Sequence, residues 1–161
     1  MIEKLISGGQ TGSDQGALEA ALELGIPTGG WIPKGFLTEN GNDPSLGERF
    51  NLVEHKSRSY IPRTYTNVRD SDGTLIVSSD WSSAGTVCTQ KAITQYEKPS
   101  LEMKIHLHGD ELYIDELVPE SAMKVWLKKN DIKVLNVAGN RESKFPGIQK
   151  LVKEYMLRVL S

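Results

Sequence analysis

The sequence predicts an α/β domain built on a mostly parallel sheet with helices on both faces. Three observations carry this. GTLIVSS (73–79) and VLNVAG (134–139) are short, continuous apolar runs of the kind that form fully buried strands. Strand-like and helix-like segments alternate almost throughout the chain. Three glycine-bearing loops each lead from a strand into a helix. The length, 161 residues, favours one domain over 1–161 and suffices for a substantial core.

The elements follow in order. IEKLI (2–6) reads as a first strand. Residues 13–25 read as a helix with Ala17, Leu18, Ala21 and Leu22 on one stripe, Thr11 or Ser13 as its cap and Gly25 at its end. IPTGGWIP (26–33) reads as a short buried strand entering a loop. Residues 34–50 are polar and rich in turn formers, and a structureless stretch of that length is often a lid or binding loop. NLVEH (51–55) fits another strand. Residues 62–70 suit a helix with Pro62 in its first turn. After the 73–79 strand, residues 83–97 form a helix with Val87, Ala92, Ile93 and Tyr96 inward, closed by Pro99.

LEMKIHLH (101–108) alternates strictly, with Leu101, Met103, Ile105 and Leu107 on one face. Such a strand has one wet face and belongs near a sheet edge. Gly109-Asp110 turns it, and ELYIDEL (111–117) returns as a hairpin. A helix over 119–130 carries Trp126 inward. A last helix over 146–159 places Ile148, Leu151, Val152, Tyr155 and Val159 on its stripe.

Composition limits the function. Apolar residues make up 38% and charged residues 25%, ordinary for a globular protein. A net charge of −2 argues against a broad nucleic-acid surface. The lone Cys88 leaves no internal disulfide and no cysteine-based zinc knuckle. MIEKLISGG lacks the apolar core and cleavage site of a signal peptide. No window nears the ~20 apolar residues of a membrane span. The expectation is a cytoplasmic chain without a membrane partner.

SGGQTGSD (7–14) joins the first strand to the first helix. Its glycines permit positive φ and close backbone approach, and the helix's first amides point into the same space. Such a terminus favours anions, phosphate above all. TLIVSSDWSSAGT and LNVAGNRESKFPGI repeat the strand–loop–helix pattern. Loops after the carboxyl ends of parallel strands line one crevice, where ligands bind. Phosphate binding and a plain tight turn both remain readings of the first loop. It has neither the Lys-Ser/Thr ending of a P-loop nor G-x-G-x-x-G spacing. Asp14 counts against phosphate directly at that terminus; it can accept from a hydroxyl or ring nitrogen, or cap.

A helix terminus gives an anion only ~0.3–1 kcal/mol, so affinity needs cations. Lys34 and Arg141 are the first candidates, Arg63 and Arg69 the next. Each has a bland alternative: a solvated lysine, or for Arg141 a salt bridge to Glu142 or a neighbour. His106 and His108 share a strand face that suits either a metal or an exposed polar surface. Cys88 is a buried inert thiol or a redox or molybdenum ligand. Trp81 and Trp126 read as packing residues.

ISGGQTGSDQGAL, LGIPTGGWIPKGF, the YIPRTYTNVRDSDGTLIV block, SSAGT and LNVAGNRESKFPGI together make the sequence resemble the circularly permuted YpsA-like branch of the SLOG superfamily, a family labelled as molybdenum carriers. The resemblance implies a Rossmann-like three-layer sandwich, at whose edge the hairpin near residues 100–116, read above from its alternation, would lie. It implies a nucleotide or nucleotide-derived ligand, kinship with molybdenum-cofactor carriers and with lysine-decarboxylase-like phosphoribohydrolases, and a homo-oligomer, dimer or tetramer. Gln15 and Gly16 stand where the family usually has Arg and Ala, and the LEMKIHLHGDELYIDE hairpin is longer than the family's plain strand.

Carried over residue by residue, the implied ligand wall is Gly8, Gly9, Gln10, Thr11, Gly12 and Asp14; Trp31 and Lys34; Asp70 and Asp72; Gly85 and Thr86; and Gly139, Asn140, Arg141, Glu142 and Ser143. Asp70 and Asp72 also suit turn chemistry, and Trp31 a core or rim position. The resemblance suggests a carrier for a phosphorylated nucleotide or pterin-type ligand, with molybdenum cofactor or a nucleotide as its guest. A hydrolase of N-glycosidic or phosphoester bonds in nucleotides is the alternative. SSAGTVCTQ lacks the acid of the phosphoribohydrolase loop, which tilts the expectation away from an enzyme; Glu142, Asp70 or Asp72 would have to supply it. An interaction module with a vestigial pocket is the third reading.

Overall fold

The computed structural model describes residues 1–114 and 118–161. In chain order the elements are β1 (Lys4–Ser7), α1 (Ser13–Glu23), β2 (Thr28–Gly29), β3 (Trp31–Ile32), β4 (Leu37–Thr38), β5 (Gly41–Asn42), α2 (Ser45–Phe50), β6 (Val53–Glu54), α3 (Tyr60–Asp70), β7 (Gly73–Ser78), α4 (Ala84–Tyr96), β8 (Ser100–His108), β9 (Glu111–Ile114), α5 (Glu120–Lys129), β10 (Val134–Gly139) and α6 (Ile148–Leu160).

The main sheet runs β2-β1-β10-β7-β8-β9. Its first five strands are parallel, and β9 returns antiparallel on β8. The last strand, β10, is thus inserted between β1 and β7. This is the Rossmann-like α/β sandwich the sequence implied. Residues 115–117 of the expected hairpin lie outside the described residues. β8 is one strand in from the edge: residues 100–104 pair with β7 and 105–108 with β9. No described helix is long and apolar enough to cross a membrane.

Strand alternation divides the interior unequally. Leu5, Leu135, Val137, Leu75, Val77 and Met103 point to the face covered by α1 and α6, and pack with Leu18, Ile148, Val152, Tyr155 and Met156. Ile76 points the other way, onto a much smaller cluster with Val68, Ala92 and Ile93 from α3 and α4. On that second face the central strands carry polar side chains: Asn136 Nδ2 donates to Thr74 Oγ1 at 3.2 Å, and Ser78 Oγ lies 3.0 Å from Thr86 Oγ1. These polar groups are buried by pairing with one another, and a cavity lies on this face beneath α3 and α4.

Three local expectations need correction. Residues 34–50 are not structureless: they hold the β4–β5 hairpin and α2. IPTGGWIP is two strands, because Gly30 (φ 124°) breaks the run; β2 joins the main sheet while β3 pairs with β6 in a separate ribbon. Neither Thr11 nor Ser13 caps α1. Gly12 occupies that position, and the two hydroxyls go to Glu39 and to the Asn140 carbonyl.

Candidate ligand-binding site

The loops after β1, β7 and β10 converge at one edge of the sheet, and Asn140 joins them. Its carbonyl accepts from Ser13 N and Ser13 Oγ, each at 3.1 Å; its Oδ1 accepts from Ser79 N at 2.9 Å; its own amide donates to the Val77 carbonyl. Gly139 permits this approach, since a Cβ there would lie 2.2 Å from the Val77 carbonyl oxygen and 2.6 Å from Ser13 Oγ. Beside the junction opens a cavity of about 490 Å³, within the usual range for small-molecule sites. Its wall includes Gln10 and Asp14 from the first loop, Tyr60, Arg63 and Thr64 from α3, Gly85, Thr86 and Cys88 from α4, and Gly139, Asn140, Arg141 and Lys144.

Four successive amides of the first glycine loop, from Gln10 to Ser13, are already engaged within the protein. Gln10 N donates to Asp14 Oδ2, Thr11 N to Gln10 Oε1, Gly12 N to Gln149 Oε1 and Ser13 N to the Asn140 carbonyl. Its glycines serve packing: a Cβ on Gly8 would strike the Arg63 guanidinium at 2.1 Å, and one on Gly12 the Asn140 carbonyl at 2.5 Å. The start of α6 is also occupied, because Glu142 accepts from Gly147 N and from Gln149 N. The start of α4 differs. Ser83 caps Thr86 N, while the amides of Ala84 and Gly85 meet no acceptor among the described residues, and both residues line the cavity.

Facing that terminus is the group that sets the site's character. Arg63 is 9% exposed, yet its guanidinium donates no hydrogen bond among the described residues; Nε is buried without a partner. The nearest carboxylate, Asp14, holds Oδ2 4.0 Å from Nη1. Burial lowers the Arg63 pKa, opposed by the Asp14 charge. Asp14 itself is 3% exposed, and desolvation pushes its pKa up to about 6, against the pull of the Arg63 charge and of the hydrogen bond from Gln10 N. Gln10 Nε2 is a second buried donor without a partner; Oε1 is committed to Thr11 N and Glu39 N, which fixes the amide's orientation. Arg63 and Arg141 both stand over the Tyr60 ring, 5.4 and 5.6 Å from its centroid.

Of the residues nominated from sequence, Gln10, Asp14, Gly85, Thr86, Gly139, Asn140 and Arg141 line the cavity. Gly8 lies just behind Arg63, and Gly9 packs on Ile32 and Leu52. The others serve elsewhere. Trp31 Nε1 donates to Asp70 Oδ2 at 2.9 Å, and its ring meets His55 edge-on. Asp70 also takes Arg69. Asp72 accepts from Lys133 N and Val134 N, holding the turn before β7 against β10. Lys34 is exposed and outside the cavity wall. Glu142 closes the start of α6, so the proposed Arg141–Glu142 salt bridge gives way to Arg141–Glu39, at 4.0 Å.

Thr11 and Ser143 hold Glu39, whose carboxylate accepts from the Thr11 hydroxyl and from the Ser143 amide and hydroxyl. Glu39 was missed because nothing near it in sequence marks it. Tyr60, Asp80 and Lys144 were also missed. Arg63, ranked only a reserve cation, did carry a signal: it shares the inward stripe of α3 with Thr64, Asn67 and Val68. A charge on an inward stripe demands a partner. Cys88 is half-buried, and desolvation raises its thiol pKa, so it stands as a protonated thiol. No group of three or more His, Cys, Asp or Glu is gathered for a metal among the described residues.

Comparison with known proteins agrees with this architecture. A family model described as the circularly permutated YpsA SLOG family matches residues 5–160. A crystal structure from Syntrophus aciditrophicus SB, described as a "putative molybdenum carrier protein", is 40% identical, with a TM-score of 0.83 over 98% of this chain and 94% of that one. No curated protein matches the chain.

Proposed function

This chain belongs to the circularly permutated YpsA SLOG family, and from that premise we propose that it is a carrier-like protein that binds a phosphorylated nucleotide or pterin-type ligand in the cavity between the sheet, α3 and α4. The observation that carries this reading is the buried Arg63 guanidinium, which has no hydrogen-bond acceptor among the described residues. A buried charge without a close partner is expensive, and an anionic guest would supply one. The unpaired amides of Ala84 and Gly85, together with Arg141 and Lys144, extend the same anion-binding wall. The Syntrophus relative's description names molybdenum, and a molybdenum-bearing pterin phosphate is one guest of the proposed class. A thermal-shift panel of nucleotides and molybdopterin, followed by native mass spectrometry of copurifying ligand, tests it. Stabilisation by a phosphorylated ligand is expected; no shift at millimolar ligand would reject the reading.

One observation supports a hydrolytic alternative. Asp14 presents to the same cavity a carboxyl whose pKa, about 6, suits proton transfer near neutrality. It takes the place of Glu142, Asp70 and Asp72, which are engaged elsewhere. Chromatography of a nucleoside-monophosphate panel after incubation decides: released base or phosphate, lost in Asp14→Asn, would favour the hydrolase, and an inert panel would dismiss it.

A further inference from the structure

Asp14 and Arg63 both line the cavity, with the carboxylate 4.0 Å from the guanidinium and no hydrogen bond between them. An anion that takes Arg63 therefore arrives next to a carboxylate. An ionised carboxylate only accepts hydrogen bonds. Two acceptors in contact need a proton between them, or they repel. Accordingly, we propose that Arg63 and Asp14 form an oxyanion subsite selective for guests that bring a proton: hydrogen phosphate, and a phosphate monoester in its singly protonated form, are admitted, while fully ionised oxyanions such as sulfate and molybdate are disfavoured. This rests on the reading that the cavity binds an anion, and it specifies which kind.

At neutral pH Asp14 is mostly ionised, its pKa being about 6, so a fully ionised guest binds only with uptake of a proton from solvent, a cost that a proton-bearing guest avoids. Arg63 on α3 is the charged group acting on Asp14; the Gln10 amide donates to it, and the Ser7 hydroxyl and Gly139 backbone lie near, the Ser7 proton already going to the Val137 carbonyl. Around Arg63 stand Tyr60, Cys88 and Arg141. The side chain of Asp14 cannot swing away, because Gln10 N holds Oδ2 and the space beside Gly8 is filled by the guanidinium. Acidification relaxes the selectivity: once Asp14 is itself protonated, as its raised pKa of about 6 allows, it becomes a donor and fully ionised oxyanions are accepted as well. For a family labelled by molybdenum this has a direct consequence. Bare molybdate is disfavoured at neutral pH, and a phosphate that keeps or takes up a proton is the group read here.

Calorimetric titration of the wild-type protein with inorganic phosphate, sulfate and molybdate, at about pH 7.5 and about pH 5.5, tests this without any variant. The expected result at the higher pH is phosphate binding about tenfold or more tighter than either other anion, the scale of one charge-assisted hydrogen bond gained or lost. At the lower pH the gap narrows as sulfate and molybdate gain. Asp14→Asn, which can donate, should bring the three within about threefold at both pH values. Equal affinities for all three in the wild type at the higher pH, abolished by Arg63→Ala, would overturn the selectivity and leave an anion site standing. No heat for any anion at tens of millimolar would overturn both.

Discussion

Asp14 Oδ2 and Arg63 Nη1 face each other across 4.0 Å of buried space, near enough to attract and too far to share a hydrogen bond. The separation leaves each charge incompletely compensated, which shows in the carboxyl's pKa of about 6. Stability should record this. A carboxyl whose folded pKa lies above its unfolded value contributes stability that is complete below the unfolded pKa, near 3.8, and lost as pH rises through about 6. The shift corresponds to roughly 3 kcal/mol of lost stability above that window. Asp14→Asn should therefore raise the urea midpoint at about pH 7.5, by up to ~3 kcal/mol in stability, and the advantage should vanish below about pH 4. Urea titrations across that range check it; a variant less stable at neutral pH would contradict the assignment.

Glu39 ties the 34–43 segment to the rim of the site. Burial alone would raise its carboxyl pKa, but hydrogen bonds from Ser143 and Thr11 and the charge of Arg141 outweigh it, and the net shift is downward. Glu39→Ala would strip Thr11 and Ser143 of their acceptor. A loss of about 1–3 kcal/mol is expected, the penalty for breaking charge-assisted bonds and leaving partners unsatisfied. Hydrogen exchange should quicken over residues 34–43 while β7 and β10 stay protected. Unchanged exchange in that segment would show that β4, β5 and α2 hold it without Glu39.

Two helical glycines should respond in opposite directions to the same substitution. A Cβ on Gly16 would lie 2.3 Å from the Gln149 carbonyl oxygen, where α1 crosses α6. Gly16→Ala should destabilise by about 1–3 kcal/mol through overpacking against backbone, despite a helix-propensity gain of about 1 kcal/mol. Gly85, in the first turn of α4, meets nothing within 4 Å. Gly85→Ala should be neutral or stabilising by up to about 1 kcal/mol. Thermal unfolding of the pair measures both signs. If Gly16→Ala proves harmless, α1 and α6 can separate at low cost.

The legibility of this chain followed the length and regularity of its elements. β7 and β10 were visible because they are buried on both faces and read as apolar runs; α1 and α6 because their stripes repeat over three turns. Residues 34–50 were opaque because strands of two residues have no period, and their folding depends on distant anchors such as Glu39 to Ser143. The glycine loops were correctly located at one rim, but the division of labour among them was not readable. Whether a loop amide is spare depends on Gln149 and Asn140, more than a hundred residues away. Trp31 and Asp70 were nominated for ligand contact and instead bond each other across 39 positions.

The cations should separate cleanly once a phosphorylated ligand is in hand. Sequence ranks Lys34 with Arg141 and holds Arg63 in reserve; the cavity wall contains Arg63 and Arg141 but not Lys34. A hydrogen bond to a charged group contributes roughly 1.5–3 kcal/mol, or about ten- to a hundredfold in affinity. Arg63→Ala should lose that much, because its guanidinium is buried and has no acceptor to be drawn away from. Arg141→Ala should lose less, since Arg141 is more exposed and already attracted to Glu39. Lys34→Ala should stay within about threefold of wild type, the residual of a screened surface charge. Calorimetry of the three variants against one ligand gives the order. If Lys34→Ala weakened binding as much as Arg63→Ala, the anion would lie outside the α3–α4 cavity, and the site would have to be moved toward the 34–43 segment.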